Sequence, residues 1–469
     1  MYKKQTEGSI SVFLALTITL MLSFCMVLIE SARENTMLLK ADIVFDAGVQ
    51  SLLAEFHVEL WEEYDLLYVD CSYGTEKPNY NLIKAHLEDY VDKNLAYGNR
   101  GWLALDYDGA VLSDVLLATD FEGKDFYLQA VHSAEASVAI PYIEQVMTWF
   151  EKVEATYSIG DFLRNEQVKT NSAIEDANGT EVEVKEAVWG EDADGNPIIL
   201  EEAEYETVDI VNPLEQILSG NFLLWQVAGG NRDFSSVTIA INELASHRSL
   251  AAGTVEDTLD EDSIWNKMLF CKYAMDHFRC YGDEAEENVS GFQYELEYLI
   301  GGKNSDNLNM EVVAAELLLL REIDNYLVLL QDEVKKLEAH VLATGASAAL
   351  VPWLEPIVYQ AILLYWAYED SVRDLRALFC GKEIPLVKSL PADIIADFTL
   401  SYEEYLLLLM LLQKQENLAM RSIDIIELAL RNEDAGFRMD GCISKAQLVG
   451  TFNDIYKKQY SVSKEFQYY

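Results

Sequence analysis

The sequence contains few basic residues for its length. Its 469 residues include 34 Lys and Arg against 80 Asp and Glu, so the formal net charge is −46. Proteins that bind phosphate backbones or anionic lipid headgroups do so mainly through Lys and Arg, whose contacts release counterions. The composition therefore excludes nucleic acid as a partner and disfavours anionic headgroups.

The sequence also lacks the short motifs that carry catalysis or bind metals. It has no C-x-x-C, no H-E-x-x-H, no P-loop, no Rossmann glycine pattern and no nucleophile elbow. The 6 Cys and 6 His are scattered, and Ser461–Lys464 matches S-x-x-K without the companion motifs of that enzyme class. We therefore expect no catalytic residue, no metal site and no cofactor, and the chain is predicted not to be an enzyme.

Two local patterns leave alternatives open. The carboxylates of Asp192–Glu201 resemble a calcium loop, but Gly190 stands where the first ligand belongs, and a hairpin turn explains the same residues. Cys271 and Cys280 would lie about 13.5 Å apart on one helix, whereas a disulfide needs about 7 Å or less. Free thiols are therefore expected unless the helix ends before Cys280.

An uncharged apolar run lies near the N-terminus. Ser9–Ile29 contains 21 residues without a charge, Pro or Gly. As a helix it reaches about 31 Å, enough to cross a bilayer core of about 30 Å, and it is longer than the apolar part of a cleaved signal peptide. The run predicts a transmembrane helix over 9–29 behind a leader of residues 1–8. An apolar core helix is the alternative, which the charged residues at both ends disfavour.

The orientation follows from the flanking charges and the lengths of the flanks. Lys3 and Lys4 precede the run, and Arg33 and Lys40 follow it. The charge rule alone decides little between the two sides, but a short basic leader before a long acidic body is the usual form of a signal anchor. The sequence predicts a cytoplasmic N-terminus, an extracytoplasmic body and the lipid bilayer as a partner.

Beyond the apolar run the pattern becomes that of an amphipathic helix. Apolar residues recur every three or four positions, and charged residues fill most of the others. The pattern predicts one continuous helix from about Ser9 to Tyr64. Its apolar stripe is either the seam with its own globular domain or a contact with a partner subunit. The stripe residues are Leu38, Phe45, Val49, Leu52, Phe56 and Leu60.

A family resemblance appears at this point. The leader Met1–Gly8, the following SISVFLALTITLML and the amphipathic helix resemble the N-termini of TadE/TadG-like pseudopilins of the tight-adherence (Tad) branch of type IV pilus systems. Four further stretches resemble uncharacterised Gram-positive bacterial proteins encoded beside Tad-type pilus genes. They are Ser51–Asp70, Tyr294–Asn309, Glu316–Leu330 and Leu400–Leu412. The resemblance implies a membrane component of a pilus or secretion machine, with proteins of that machine as partners.

The same resemblance implies a processing site. Prepilin peptidases cut after a Gly, which here is Gly8, and this leaves Ser9 as the new N-terminus. Pilins also carry a Glu at the fifth mature position, which pairs with a neighbour's amine during assembly, whereas this chain has Phe13 there. We therefore interpret the chain as a pilus-system membrane component and not as a major pilin.

A small sheet is predicted within residues 30–160, near the membrane. Short β-prone runs at Leu66–Cys71, Trp102–Asp106 and Ala110–Leu117 are bounded by Gly or Asp. Helical patterns lie between and after them, so this region is predicted to be α+β.

Residues 161–210 form a strongly acidic segment with 15 acidic and 3 basic residues. Glu181–Val188 and Ile198–Leu200 flank an Asp-Gly turn at Asp194, which predicts an acidic β-hairpin insertion. A flexible acidic loop is the alternative.

Residues 211–469 are predicted to form a helical bundle, so the fold class is α+β, mainly α. Half of all residues are hydrophobic, enough for a large core. Val341–Tyr368 is apolar enough to be weighed as a second membrane span, but Glu355 and two prolines favour a buried helix. The helices are expected at Ile264–Cys280, Val289–Ile300, Met310–Val341, Leu350–Phe379, Tyr402–Leu430 and Ser444–Tyr460.

These features predict a single-pass, membrane-anchored extracytoplasmic structural component of a Tad/type IV-like pilus or secretion apparatus, which acts through helix–helix assembly contacts. The alternative is an anchored extracytoplasmic binding or sensing module for a cationic or cell-wall partner. An exported hydrolase without a recognisable motif is the third possibility.

Overall fold

The chain forms two compact units in a computed structural model. The sheet unit comprises Met1–Ser133, Ala245–Glu261 and Ile426–Tyr469, and the helical unit comprises Ala134–Leu244 and Asp262–Ile425. The structure describes residues 4–75, 77–96, 98–136, 140–179, 181–185, 188–191, 197–201, 204–207, 212, 214, 234–255, 263–283, 291–347, 352–388 and 399–468.

Most of the described chain is helical, and its strands form small antiparallel sheets, so the predicted α+β, mainly α class is confirmed. The helices are α1 Lys4–Leu53, α2 Val58–Tyr64, α3 Tyr80–Ala96, α4 Asp120–Glu135, α5 Ile140–Ala177, α6 Ile264–His277, α7 Glu295–Gly301, α8 Asp306–Gln331, α9 Glu333–Ser347, α10 Glu355–Phe379, α11 Tyr402–Leu412 and α12 Gln415–Leu430. The strands are β1 Val69–Asp70, β2 Leu105–Leu117, β3 Glu181–Lys185, β4 Val188–Glu191, β5 Pro197–Glu201, β6 Glu204–Thr207, β7 Ile384–Pro385, β8 Thr399–Leu400, β9 Cys442–Asp454 and β10 Gln459–Gln467.

The strand β9 is the centre of the sheet unit. It pairs antiparallel with β10 and with β2 along most of its length, and with β1 at its first two residues. Leu105 at the start of β2 is the register partner of Asp454 at the end of β9. Buried and less buried side chains largely alternate along β9, the period of two expected for a strand with one face on a core.

The core of the sheet unit lies between this sheet and the helices α1 and α3. The two helices approach closely at Gly48, where a Cβ atom would lie 2.8 Å from Cγ2 of Val91. The strands β9 and β10 also pack against α1, and their buried side chains join the same core. The buried residues include Met37, Ala41, Phe45, Val49 and Leu52 from α1, Ile83, Leu87, Val91 and Leu95 from α3, and Leu448, Phe452, Val462 and Phe466 from the strands.

The prediction of a helix over Ser444–Tyr460 is wrong. These residues belong to β9, the turn after it and the start of β10. Periodicity alone does not separate a short apolar segment in a strand from one in a helix. The partner β2 comes from the first third of the chain, so local sequence carries no sign of the pairing. The C-terminal segment therefore completes the sheet of the sheet unit and is not part of the predicted bundle.

The prediction of one continuous helix to Tyr64 is also wrong. The helix α1 ends at Leu53, and α2 begins after His57. The amide of His57 donates to the carbonyl of Tyr68 at 2.8 Å, and its Nδ1 accepts from the amide of Leu60 at 3.4 Å. His57 thus caps α2 with an extended backbone, and the chain turns there.

Four packed helices, α5, α8, α9 and α10, make the main cluster of the helical unit. Its core includes Leu319 and Ile323 from α8 and Leu364 from α10. The predicted helix Met310–Val341 is interrupted at Asp332, whose Oδ1 accepts hydrogen bonds from the next amides and begins a new helix.

The segment Val341–Tyr368 is not a single helix. The helix α9 ends at Ser347 and α10 begins at Glu355, and apolar residues of α10 are buried. Within the described ranges, α1 is the one helix that is long and apolar enough to cross a membrane.

The acidic segment has two kinds of structure. Residues 161–177 continue α5, and further along β3 pairs with β6 and β4 pairs with β5, both antiparallel. The structure therefore has two strand pairs, with β4 and β5 lying between β3 and β6 in the sequence, where one short hairpin was predicted. The turn at Asp194 and the calcium-like residues Asp192 and Asn196 lie outside the described residues.

Candidate functional site

The apolar run is the exposed first part of α1. Phe13, Leu20 and Met26 are 67%, 73% and 68% exposed, and none of the most apolar window of this helix is buried. The predicted ends Ser9 and Ile29 lie within α1, as does Gly8 of the predicted processing site. An apolar helix that its own chain leaves uncovered is a candidate membrane helix.

An ion pair joins α1 to the strand β9 just beyond the apolar run. Arg33 is 4% exposed, and its Nη2 donates to Oδ2 of Asp454 at 3.0 Å and to Oε1 of Glu30 at 2.7 Å. The amides of Tyr456 and Lys458 each donate to Oδ1 of Asp454 at 2.8 Å. Burial alone would raise the pKa of Asp454, but these amides and Arg33 together hold it below the usual value.

The predicted stripe contacts the chain's own core. Phe56 lies in the turn after α1 and is partly buried, whereas Leu38 is 47% exposed and lies outside the seam. The other four stripe residues are at most 3% exposed: Phe45, Val49, Leu52 and Leu60. Most of the stripe is therefore a seam within the sheet unit.

A second apolar face of α1, which the sequence analysis missed, is exposed. Leu39 and Ile43 are 59% and 58% exposed, next to the exposed Leu38 of the predicted stripe. Leu39 and Ile43 are four residues apart, and Ala32 and Leu28 continue the same side of the helix into the apolar run. The spacing is visible in the sequence, but both sides of α1 are apolar here, so spacing does not tell which side the domain covers.

The helical unit contains a cavity of about 340 Å³ between residues 281–283, 378–381 and 401–403. The rings of Tyr281, Phe379 and Tyr402 pack against one another, with centroids 5.2 to 6.1 Å apart. The charged lining residues are Asp283 and Glu403, both acidic. The cavity is therefore aromatic and negative.

A buried carboxyl group lies behind this aromatic wall. Glu297 is fully buried, and its Oε1 accepts from the hydroxyl of Tyr402 and the amide of Tyr281, each at 2.8 Å. Its Oε2 has no hydrogen-bond partner among the described residues. Burial raises the pKa of Glu297 to about 7, so this group exchanges a proton near neutral pH.

Three potential metal ligands meet at the edge of the cavity. Sγ of Cys280 and carboxylate oxygens of Asp283 and Glu403 lie within 4.8 Å of one another. Burial and then the negative charges of Glu297 and Asp283 raise the pKa of the Cys280 thiol well above its usual value. This electrostatic environment favours a bound positive charge.

Little in the sequence indicates this site. The helix α6 ends at His277, before Cys280, and Cys271 and Cys280 form no disulfide within the described residues. Glu297 and Tyr402 lie in two of the stretches that carry the family resemblance, but carboxylates are too abundant in this chain for their spacing to single any out.

The chain matches the model of a protein family over more than half of its length. The model is described as a family of unknown function (DUF5702) and matches residues 201–391 and 395–454, more than half of the chain. The match includes all residues that line the cavity. No curated protein and no solved structure matches the chain. The protein therefore belongs to the family of unknown function DUF5702.

Proposed function

We propose that this protein is a single-pass, membrane-anchored extracytoplasmic structural component of a Tad/type IV-like pilus or secretion apparatus. One observation carries the proposal. The exposed apolar helix continues without a break into the extramembrane part of α1, which exposes a further apolar face at Leu39 and Ile43. A simple tether would need the apolar run but not this second face.

The exposed face of α1 suits a partner helix. Outside the lipid, covering Leu39 and Ile43 removes apolar surface from water and favours association. Inside the lipid, helix association depends on packing and gains nothing from leaving water. The extramembrane face would therefore supply much of the affinity, and the membrane segment would align the partners.

The sheet unit has a fixed orientation relative to α1. Because the seam of α1 is buried in the core of the sheet unit and Arg33 joins α1 to Asp454 at the end of β9, the sheet unit cannot rotate about the helix. A partner packed along α1 would therefore set the direction in which this unit projects from the membrane. The leader is proposed to be cytoplasmic, with Gly8–Ser9 as a processing site.

Deletion and complementation test this function. Loss of the gene should abolish pilus assembly or the linked secretion, and normal pili in the deletion strain would contradict the proposal. Complementation with a chain carrying Leu39→Gln and Ile43→Gln should restore the protein in the membrane but not assembly. Val111→Gln is the matched control, because Val111 is 63% exposed on β2 of the same unit.

The processing site has its own measurement. The N-terminal residue of the membrane-extracted protein should be Ser9 if a prepilin-type peptidase cuts after Gly8. An N-terminal Met1 would identify a plain signal anchor and would remove processing from the proposal.

The cavity favours a second candidate function, an anchored module that binds a cationic partner. Asp283 and Glu403 would pair with an ammonium group beside the ring of Tyr402. Calorimetric titration of the detergent-solubilised chain with a lysine-rich cell-wall peptide should show binding that salt weakens. The double variant Asp283→Asn, Glu403→Gln should lose that binding, and an unchanged affinity would exclude this site.

A further inference from the structure

We propose that one tip of the sheet unit, formed by residues 98–103 and 455–459, seats in the phospholipid headgroup layer beside α1. We call these two segments the tip. Its contact with the membrane depends on the proposed anchoring by α1 and adds a second point of attachment. Three observations carry the proposal: the position of the two segments, their exposed side chains and their charge.

The two segments lie together at the level where α1 leaves the membrane. Leu105 pairs with Asp454 in the sheet, so the chain before one and the chain after the other lie at the same end. Nη1 of Arg33 donates to the carbonyl of Trp102 at 3.5 Å, and its guanidinium lies 4.9 Å from the centre of the Tyr456 ring. Arg33 therefore touches both segments.

The height of Arg33 above the apolar run matches the headgroup layer. It follows Ile29 by four residues, about 6 Å along a helix. The difference between the full bilayer and its hydrocarbon core leaves about 5 to 8 Å of headgroup on each side. A tip held at Arg33 is thus at headgroup depth whenever the apolar run fills the core.

The exposed side chains of the tip are those that prefer this layer. Trp102, Ile455 and Tyr456 are 53%, 50% and 68% exposed. Trp and Tyr concentrate at membrane interfaces, because an apolar ring with a polar edge suits the boundary between lipid and water. Together they leave a large apolar surface in water if no membrane covers it.

The charge of the tip differs from that of the chain. Residues 98–103 and 455–459 contain Arg100, Lys457 and Lys458 but no Asp or Glu. The acidic neighbours are engaged, since Glu30 and Asp454 pair with Arg33, and Glu34 pairs with Lys458. The whole-chain charge disfavours contact with anionic headgroups, but the tip presents the exposed cations Arg100 and Lys457, which fit lipid phosphates, while Lys458 pairs with Glu34.

Hydrogen bonds within the protein order the backbone of the tip before it contacts the membrane. Nζ of Lys40 donates to Oδ1 of Asn99 at 2.8 Å and to the carbonyl of Leu103 at 3.1 Å, which ties the first segment to α1. Asp454 orders the second segment through the amides of Tyr456 and Lys458. Contact with the headgroups therefore requires little further ordering of the backbone.

Fluorescence quenching by spin-labelled lipid tests the proposal. The full chain is placed in phosphatidylethanolamine/phosphatidylglycerol vesicles that contain lipid with a doxyl group at the shallow 5-position. The apolar run contains no Trp, so any quenched Trp must lie in the body. We expect Trp102→Phe to remove at least half of the quenching seen in the unchanged chain.

Trp61→Phe is the matched control and should leave the quenching unchanged. Trp61 is 44% exposed in α2, which follows the far end of α1, about 36 Å along the helix from Ile29. Both variants change exposed residues, and an unchanged thermal midpoint verifies their folding.

Each other outcome overturns the proposal in a recognisable way. If the Trp102→Phe variant is quenched as strongly as the unchanged chain, the tip does not reach the headgroups. The same holds if the unchanged chain shows no quenching. Neither result contradicts anchoring by α1. Trp102 shielded from aqueous iodide but not quenched by lipid shows that a second copy of the chain covers the tip. A chain that fails to float with the vesicles contradicts both the tip and the anchoring function.

Discussion

Gly450 of β9 lies directly against the ring of Phe45 on α1. A methyl group at position 450 would lie 2.4 Å from Cε2 of Phe45, far inside van der Waals contact. This contact between the N-terminal helix and the central strand thus depends on a residue without a side chain. Phe45 belongs to the predicted stripe, and its partner comes from the C-terminal part of the chain.

Gly450→Ala should destabilise the sheet unit by about 1–3 kcal/mol, because the Phe45 ring must move to admit the methyl group. Hydrogen exchange followed by mass spectrometry should show faster exchange of the β9 amides. Gly345→Ala is the control, since nothing lies within 4 Å of a Cβ atom there, and it should be neutral or slightly stabilising. Unchanged β9 protection would contradict the packing described.

Asp454→Asn should weaken the junction between α1 and the sheet more at neutral pH than in acid. The pKa of Asp454 is lowered in the folded chain, so its contribution to stability is present above the ordinary value of 3.8. That contribution is lost as the pH falls through the folded value. Thermal unfolding of the detergent-solubilised chain should separate the variant from the unchanged protein at pH 7, and by less at pH 3, where part of that contribution is already lost.

A matched variant controls for the loss of negative charge. Asp108 is an exposed carboxylate on the neighbouring strand β2, and Asp108→Asn should change the unfolding temperature little at either pH. An Asp454→Asn variant that behaves like this control would show that the pairing with Arg33 contributes no stability.

Arg321→Met should destabilise the helical unit by about 3–5 kcal/mol, because it leaves the buried carboxylate of Asp324 without the guanidinium that pairs with it. Arg321 is fully buried and donates to Asp374 and Asp324, each at 3.1 Å, and to the carbonyls of Pro385 and Leu386. Urea unfolding of the solubilised chain measures the loss.

Two further substitutions sharpen the Arg321 prediction. Arg321→Lys should recover little, since an ammonium group cannot span four acceptors as a planar guanidinium does. Lys335→Gln, which removes an exposed helical ion pair with Glu338, should change the unfolding midpoint hardly at all. Equal effects at positions 321 and 335 would contradict the buried network.

Glu297→Gln should flatten the pH dependence of stability between about pH 4.5 and 7. Burial raises the pKa of Glu297 to about 7, so within this window the folded chain holds a proton that the unfolded chain has released. The free energy of unfolding therefore falls as the pH rises, by up to about 3 kcal/mol for this group. Unfolding of the solubilised chain at pH 5 and pH 8 measures the change.

Two carboxylates allow a comparison with Glu297. Glu322 is buried with its pKa also raised to about 7, so Glu322→Gln should act in the same direction. Glu62 is exposed on α2, and Glu62→Gln reports the effect of one lost charge. If Glu297→Gln matches the Glu62 variant, Glu297 is ionised in the folded chain throughout the window.

Cys380 provides a test of orientation. It is exposed on the helical unit, Cys25 is exposed within the apolar run, and the other four cysteines are buried. A membrane-impermeant maleimide added to intact cells should label Cys380 if the body is extracytoplasmic, while Cys25 stays covered by lipid. Cys380→Ser should abolish the labelling, and labelling only after cell lysis would place the body in the cytoplasm.

Local sequence was sufficient for features that depend on one segment. The length and apolarity of Ser9–Ile29 predicted the exposed part of α1, and most of the period-3.6 segments of residues 264–430 became helices. Helix ends were less well predicted. The breaks at His57 and Asp332 depend on side chains that bond to backbone amides, and ordinary helical patterns run across both positions.

Features that join distant segments could not be predicted in the same way. The C-terminal apolar pattern was assigned to a helix because nothing near it indicates that β2 is its partner. Likewise, Glu297, Tyr402 and Cys280 are ordinary residues in an acidic, Tyr-rich chain until the fold places them around one cavity.

The sequence by itself determined the apolar helix, the acidic body and the mainly helical class, because hydrophobic length, net charge and helical period are properties of the chain. Only the tertiary structure decided which face of α1 is covered and that Arg33 meets Asp454, Trp102 and Tyr456 at one tip. The physical reason is that burial and pairing are set by contacts between segments far apart in the chain, and a local pattern records that a face is apolar but not what will cover it.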